Sequence, residues 1–307
     1  MKRSGRIFLM VFMVACTGEL FLRFYLGFCD AVLMREDPDY EYIAQPDQNR
    51  FRFRNRIMYN SFSMRSDEPD SAALKILVIG DSVINGGMRT EQDSLATARL
   101  SEIFTGRLGR NIQFLNISAG SWGPDNGYAY LRKHGDFGAS AVVLVASSHD
   151  AHDNMTHEKI VGINESFPDR QHQLALGEIT ERYLVPKLQE YFSNAPVDES
   201  AALGINKSDT LFNTGFESLY DFCIKKNIPF VIYLHGELSE LKAGDYNSQG
   251  NEILRFATER NIPVIRELNS GMPETGYRDH IHLSETGQRI AGEIMADQLP
   301  AFIPSLR

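Results

Sequence analysis

The chain is predicted to adopt an α/β fold built on a doubly wound parallel sheet, and three features of its 307 residues carry that expectation. Short apolar runs rich in Ile, Val and Leu recur and stop at Gly or Ser, as buried parallel strands do. Stretches with helical spacing separate them, the alternation that places helices on both faces of a sheet. Polar residues of catalytic type cluster just after the runs, at the edge where open α/β sheets bind ligands.

Taken in order, Lys2, Arg3 and Arg6 precede an apolar run over residues 7–28, interrupted only by Thr17-Gly18-Glu19 and Arg23. About twenty such residues span a bilayer as a helix. Asp30, Glu36, Asp37, Asp39 and Glu41 follow. With positive charge ahead of the run, the body is expected outside the cytoplasm. Glu19 and Arg23 stand four apart, the spacing of a helical ion pair, which lowers their cost within a span. Residues 1–29 therefore read as a signal anchor. The alternatives are a cleaved signal peptide with its apolar core ending near Val14, a lipoprotein signal at Met13-Val14-Ala15-Cys16, and a buried amphipathic helix.

Residues 30–73 are polar and broken by Pro38, Pro46 and Pro69, which predicts an exposed connector. Within it Arg50, Arg52, Arg54 and Arg56 alternate with Phe51, Phe53 and Asn55, a pattern of an edge strand, a basic ridge or a solvated face. The first core strand starts at Leu74 in LKILVIGDSVINGG; Gly80 permits a sharp turn and leaves Asp81-Ser82 at the strand's carboxyl end. A helix is expected over 93–107, a strand over 112–117 closed by Ser118-Ala119-Gly120, a helix over 125–133, and a strand over 141–146. From 155 to 207 the pattern loosens around one helix at 178–191, too long for a simple connection and so read as an inserted lid. Helices over 211–226, 251–260 and 285–298 then alternate with strands over 229–234 and 263–266. The result is a three-layer, flavodoxin-like sheet of about five strands, its domain running over 74–307.

Composition sets limits. With 43% hydrophobic and 23% charged residues the chain can bury a sizeable core. A net charge of -9 and a pI near 5.4 exclude a general nucleic-acid binder. Cys16 and Cys29 lie in or beside the apolar run, so Cys223 is alone in the body and no disulfide forms there.

Right-handed crossovers bring the carboxyl ends of the strands to one edge. Four polar blocks meet there: Gly80-Asp81-Ser82, Ser118-Ala119-Gly120, Ser147-Ser148-His149-Asp150 and Asp279-His280-Ile281-His282. A hydroxyl nucleophile needs a base within hydrogen-bond reach, and the base needs an orienting acid. Asp279 and His282, three apart, supply acid and base, and Ser82 the nucleophile. The backbone N–H groups of Ser82 and Gly120 are placed to hold an oxyanion. The rival reading is a metal hydrolase built from His149, Asp150, His152, Asp153 and His157 with His280 and His282, against which stands a plain polar loop at an active-site mouth. His172 and His235 read as ordinary loop or strand-end histidines.

These blocks, with the tail HLSETGQRIAGEIM, resemble the SGNH hydrolase family, also called GDSL esterases and lipases. The resemblance covers about residues 74–298, with the lid unmatched. Members carry Gly-Asp-Ser, then Gly, then Gly-x-Asn-Asp, then Asp-x-x-His, so the third block departs in Ser147 for Gly and His149 for Asn. It implies a cofactor-free serine esterase with Ser82, Asp279 and His282 as triad, Ser82, Gly120 and His149 as oxyanion donors, and Asp81 and Asp150 at the substrate. The expected substrate is an acylated carbohydrate, O-acetyl esters on a polysaccharide above all, or another small ester. Alternatives are a polysaccharide O-acetyltransferase using the same triad and a silent carbohydrate-binding protein. The membrane is the expected partner of the N-terminal helix. That places the catalytic domain in the periplasm on the inner membrane, or in a lipoprotein or secreted form.

Overall fold

The computed structural model describes residues 3–193, 207 and 209–307. Lys2 and residues 194–206 of the expected lid therefore lie outside the described residues.

A 24-residue helix, α1 (Arg3–Leu26), leads the chain and is long and apolar enough to cross a membrane. Two antiparallel hairpins follow, β1 (Met34–Asp37) with β2 (Glu41–Ala44) and β3 (Gln48–Arg52) with β4 (Asn55–Tyr59). The core then alternates as the sequence predicts. It runs β5 (Leu74–Gly80), α2 (Ser82–Asn85), α3 (Ala96–Leu108), β6 (Ile112–Ser118), α4 (Pro124–His134) and β7 (Ala141–Ser147). After the insertion, with α5 (Ala175–Ile179) and α6 (Val185–Ser193), come α7 (Gly215–Lys226), β8 (Phe230–His235), α8 (Leu238–Ala243), α9 (Ser248–Glu259), β9 (Val264–Arg266) and α10 (Glu285–Phe302).

The five core strands form one parallel sheet in the order β6-β5-β7-β8-β9. Side chains alternate across it, as the two-residue period of a strand requires. Ile76, Val78, Val143, Val145 and Val231 meet Leu100 and Phe104 of α3 and Ile294, Met295 and Leu299 of α10. Leu77, Ile79, Val142, Leu144 and Ile232 meet Tyr130 of α4, Phe216 and Leu219 of α7 and Phe256 of α9. The strand order reverses direction of travel at β5, between β6 and β7, and such a switch point opens a crevice at the carboxyl ends. Ser82 stands at that crevice.

Two helices depart from expectation by four residues at one end. The helix expected from 211 starts at Gly215, because Asn213 spends its groups elsewhere. Its N–H donates to Ala151 O, its Oδ1 accepts from Gly215 N–H and its Nδ2 donates to Asp153 O. The last helix continues through Pro300 to Phe302.

Residues 30–73 do not form an exposed connector. Tyr40, Tyr42, Ile43 and Ile57 are buried in the same core as the strands, and the two hairpins stand as a wall beside the sheet edge. The turn of the second hairpin is Phe53-Arg54, both with positive φ, where Asn-Gly is the usual choice. Packing holds it: Phe53 N–H donates to Leu26 O at 2.8 Å, and the Arg52 guanidinium lies 4.7 Å from the Phe53 ring centre. Gly27, at φ +72, lets the hairpin backbone touch the end of α1, where any Cβ would overlap Phe51 O. The described part of the insertion closes over the same wall, with Phe167 stacked edge-on against Tyr42 at 4.9 Å.

One buried carboxylate joins these pieces. Glu178 of α5 takes both guanidinium nitrogens of Arg52, at 2.6 and 3.2 Å, the N–H of Cys29 at 2.6 Å, and Arg182 at 3.1 Å. Arg52 and Glu178 side chains are 0% and 1% exposed. Removing one partner of a buried pair leaves the other charge uncompensated, which costs about 3–5 kcal/mol. Glu178→Ala is therefore expected to lower stability by about that amount, read as a fall in the midpoint of urea unfolding; an unchanged midpoint would refute it.

Candidate active site

The first strand delivers its polar end by close packing. A Cβ at Gly80 would sit 2.7 Å from Val145 O and 2.8 Å from the Ile84 side chain, so only glycine lets β5 turn there against β7. Asp81 then caps α2, its Oδ1 accepting from Val83 N–H at 2.8 Å, and Ser82 becomes the first helical residue. Its N–H is among those that a helix start leaves without an intrahelical acceptor.

The loop before α10 is pinned by Asp279. Its Oδ1 accepts from the N–H groups of Ile281 and His282, at 3.1 and 2.7 Å, folding the loop back on itself. Both its oxygens lie 3.0 Å from His282 Nδ1, and His282 Nε2 lies 2.9 Å from Ser82 Oγ. Burial works against ionisation of Asp279, but the ring and the two N–H donors outweigh it and hold the carboxyl well below the usual carboxylate range. An ionised Asp279 fixes the tautomer with hydrogen on Nδ1, which leaves Nε2 free to accept from the serine hydroxyl.

Ser82, Gly120 and His282 line one cavity of about 230 Å³. Met34, Ala44, Met88 and Phe167 make its apolar side, so the hairpins and the insertion build the wall that the sheet edge lacks. Tyr42 holds the Gly120 turn by donating to Gly120 O at 2.9 Å. The N–H of Gly120 has no acceptor among the described residues. Outside lies a wider cleft of about 770 Å³, lined by Arg89, Asn164, Ser166, Arg182, Arg278 and Asp279 among others.

His149, Asp81 and Asp150 fall elsewhere, in a nest of carboxylates that does not line this cavity. His149 Nε2 lies 3.6 Å from Asp81, 3.8 Å from Asp153 and 4.0 Å from Asp150, and its Nδ1 is 3.5 Å from Glu237. Burial disfavours the imidazolium, but Asp150, Asp81, Glu237 and Asp153 outweigh it and hold the ring protonated well above histidine's ordinary range. Burial pushes the Asp150 carboxyl up, whereas the His149 cation brings Asp81 down. Asp81, His149 and Asp150 each offer a ligand atom within 4.8 Å of the others. The other histidines of the metal reading diverge from this group: His152 pairs with Glu252 at 2.9 Å, and His280 is exposed.

Three contributors escaped the sequence reading. Asn85, one turn after Ser82, lines the cavity while its Nδ2 donates to Ser118 O at 3.1 Å; that spacing on the helix of Ser82 was the available signal. Arg278 lines both cavity and cleft. His235, read as an ordinary strand-end residue, is fully buried under the Asp279–His282 loop. Its Nε2 donates to Ile281 O at 2.8 Å, and its Nδ1 lies 2.6 Å from Glu267, a contact of charges out of line with the ring N–H. Burial works against its charge, but Glu267 outweighs it and raises the ring's pKa, and the Nε2–H props the residue before His282.

No family model and no curated protein matches the chain. Several solved structures are similar to it at low identity. An acetyl xylan esterase, AlAXEase, is 15% identical over 73% of this chain and 98% of its own, with a TM-score of 0.42. TesA is 13% identical over 74% of this chain and 98% of its own, with a TM-score of 0.44. A member of the lipolytic protein G-D-S-L family from Veillonella parvula is 12% identical over 74% and 98%, with a TM-score of 0.40.

The His149 nest has a pH signature. Its folded pKa lies above the unfolded value of about 6.5. Its contribution to stability is thus complete below that value and is lost as pH rises through the folded pKa. The thermal midpoint of the chain is expected to fall over that alkaline range, and to fall less in His149→Gln. Parallel curves for the two proteins would remove His149 as the cause.

Proposed function

We propose that the chain is a serine ester hydrolase of the SGNH type, anchored to a membrane by α1, that removes short acyl groups, O-acetyl above all, from carbohydrate. The observation that carries the reading is the continuous line from Asp279 through His282 to Ser82 Oγ, with hydrogen bonds of 3.0 and 2.9 Å. Ser82 Oγ attacks the ester carbonyl while His282 Nε2 takes its proton. The oxyanion faces the N–H groups of Ser82 and Gly120. His282 then returns the proton to the departing alcohol, leaving an acyl-Ser82. A water activated by the same nitrogen releases the acid. Asp279 stays ionised throughout and holds the imidazolium in place.

Size divides the substrate between the two spaces. The inner cavity of about 230 Å³, apolar on one side, suits a short acyl chain. The outer cleft of about 770 Å³, with Asn164, Ser166 and Arg278, suits a polar alcohol as large as a sugar. His149 enters the reading as a charge behind Asp81, steadying the turn that presents Ser82, as well as the candidate third oxyanion donor.

Hydrolysis of p-nitrophenyl acetate by the purified chain tests the proposal. Ser82→Ala and His282→Ala are expected to abolish turnover. Asp279→Asn should lower kcat by about 10³–10⁴ through loss of the productive tautomer. Turnover that survives Ser82→Ala would overturn the reading. A loss of about 10²–10³ in His149→Ala would identify its ring as an oxyanion donor, and a much smaller loss would confine it to support.

A further inference from the structure

The segment from Leu174 to Leu188 is amphipathic in the wrong sense for water. Its inward side is polar: Glu178 and Arg182, four apart, sit with side chains 1% and 6% exposed in the ion pairs with Arg52 and Glu165. Pro186, the next step of four, lines the outer cleft with Tyr183. Its outward side carries Leu174, Leu176, Leu184, Val185 and Leu188, all exposed, interspersed with the exposed Thr180, Glu181 and Lys187. Leu184 and Leu188 share one helical face, opposite Arg182 and Pro186. Exposed leucines mixed with charges over a buried polar side fit a boundary that is apolar on one side and polar on the other.

The contacts of this segment identify that medium. The N–H groups of Ala175 and Leu176 donate to Glu19 of α1 at 2.8 and 2.9 Å. Arg23 bridges Glu19, at 3.0 Å, to Gln173 O, at 2.6 Å. Glu19 lies seven residues before the end of α1, about 10 Å of helix rise below it. The segment therefore meets α1 within its apolar length, among the exposed Leu20, Phe21 and Phe24. Arg54, exposed at the hairpin turn, lies 5.3 Å from the ring centre of Tyr25, a residue type enriched at membrane–water interfaces.

We infer that residues 174–188 are seated in the headgroup–acyl boundary of a lipid bilayer beside α1, which sets the mouth of the catalytic cleft against the membrane surface. The inference rests on α1 being a membrane span, and a substrate ester carried at that surface would reach Ser82 past Tyr183 and Pro186. Interfacial helices of this kind bury their apolar face about 5–10 Å into the bilayer.

Full-length protein in vesicles of phosphatidylethanolamine and phosphatidylglycerol, with and without brominated acyl chains, provides the test. The chain's one tryptophan, Trp122, is 1% exposed and serves as an unquenched reference. Tryptophan is introduced singly by Phe12→Trp, Leu184→Trp and Leu188→Trp. Bromines at that depth are expected to reduce the added emission about twofold in all three. Quenching of Phe12→Trp without either leucine variant would leave the anchor standing and overturn the seated segment. No quenching in any variant would overturn both. Hydrolysis of soluble p-nitrophenyl acetate by the same preparations reports on the catalytic reading separately, since none of the three positions lines the cavity.

Discussion

The hydrogen bond from Ser82 to His282 joins residues 200 apart in sequence, and its 2.9 Å length is set by backbone rather than by either side chain. On one side, β5 lies so close to β7 that only glycine fits at position 80. On the other, Asp279 accepts from two N–H groups of its own loop before it reaches the His282 ring. His235, at the end of β8, then fixes that loop to the sheet through Ile281 O. Ser82 and His282 are thus carried by neighbouring parts of one parallel sheet, and the geometry follows from strand order. Active sites hold such geometry best when rigid elements carry it.

What was legible in the sequence was local. The apolar run ending in Gly80-Asp81-Ser82 and the Asp279–His282 spacing each lie within a few residues, where period and turn chemistry speak directly. The wall around the site was not. Strands of four or five residues carrying Arg, Glu and Gln read as solvated chain. They are buried only because their partners come from elsewhere: Glu178 stands 126 residues from Arg52. The Phe53-Arg54 turn carries no turn signature either, since tertiary packing supplies its positive φ. His149 shows the same limit. Its place in the third block was readable, but its electrostatic surroundings depend on Glu237, on a loop beyond β8.

The acidic composition takes on a local meaning here. A net charge of -9 is spread unevenly, with carboxylates gathered around His149 and arginines around the outer cleft. Arg89, Arg182 and Arg278 stand at the entrance to the pocket of Ser82 and His282, where Arg182 is already paired with Glu165 and Glu178, and Asp279 with His282.

The Glu178 carboxylate also bears on motion. It holds the end of α1, the second hairpin and the insertion through four separate donors, three of them on different segments. Moving the insertion away from the cleft would part Glu178 from Arg52 and from the Cys29 N–H, while Arg182 travels with it. Any opening of this wall therefore carries the cost of separating a buried ion pair.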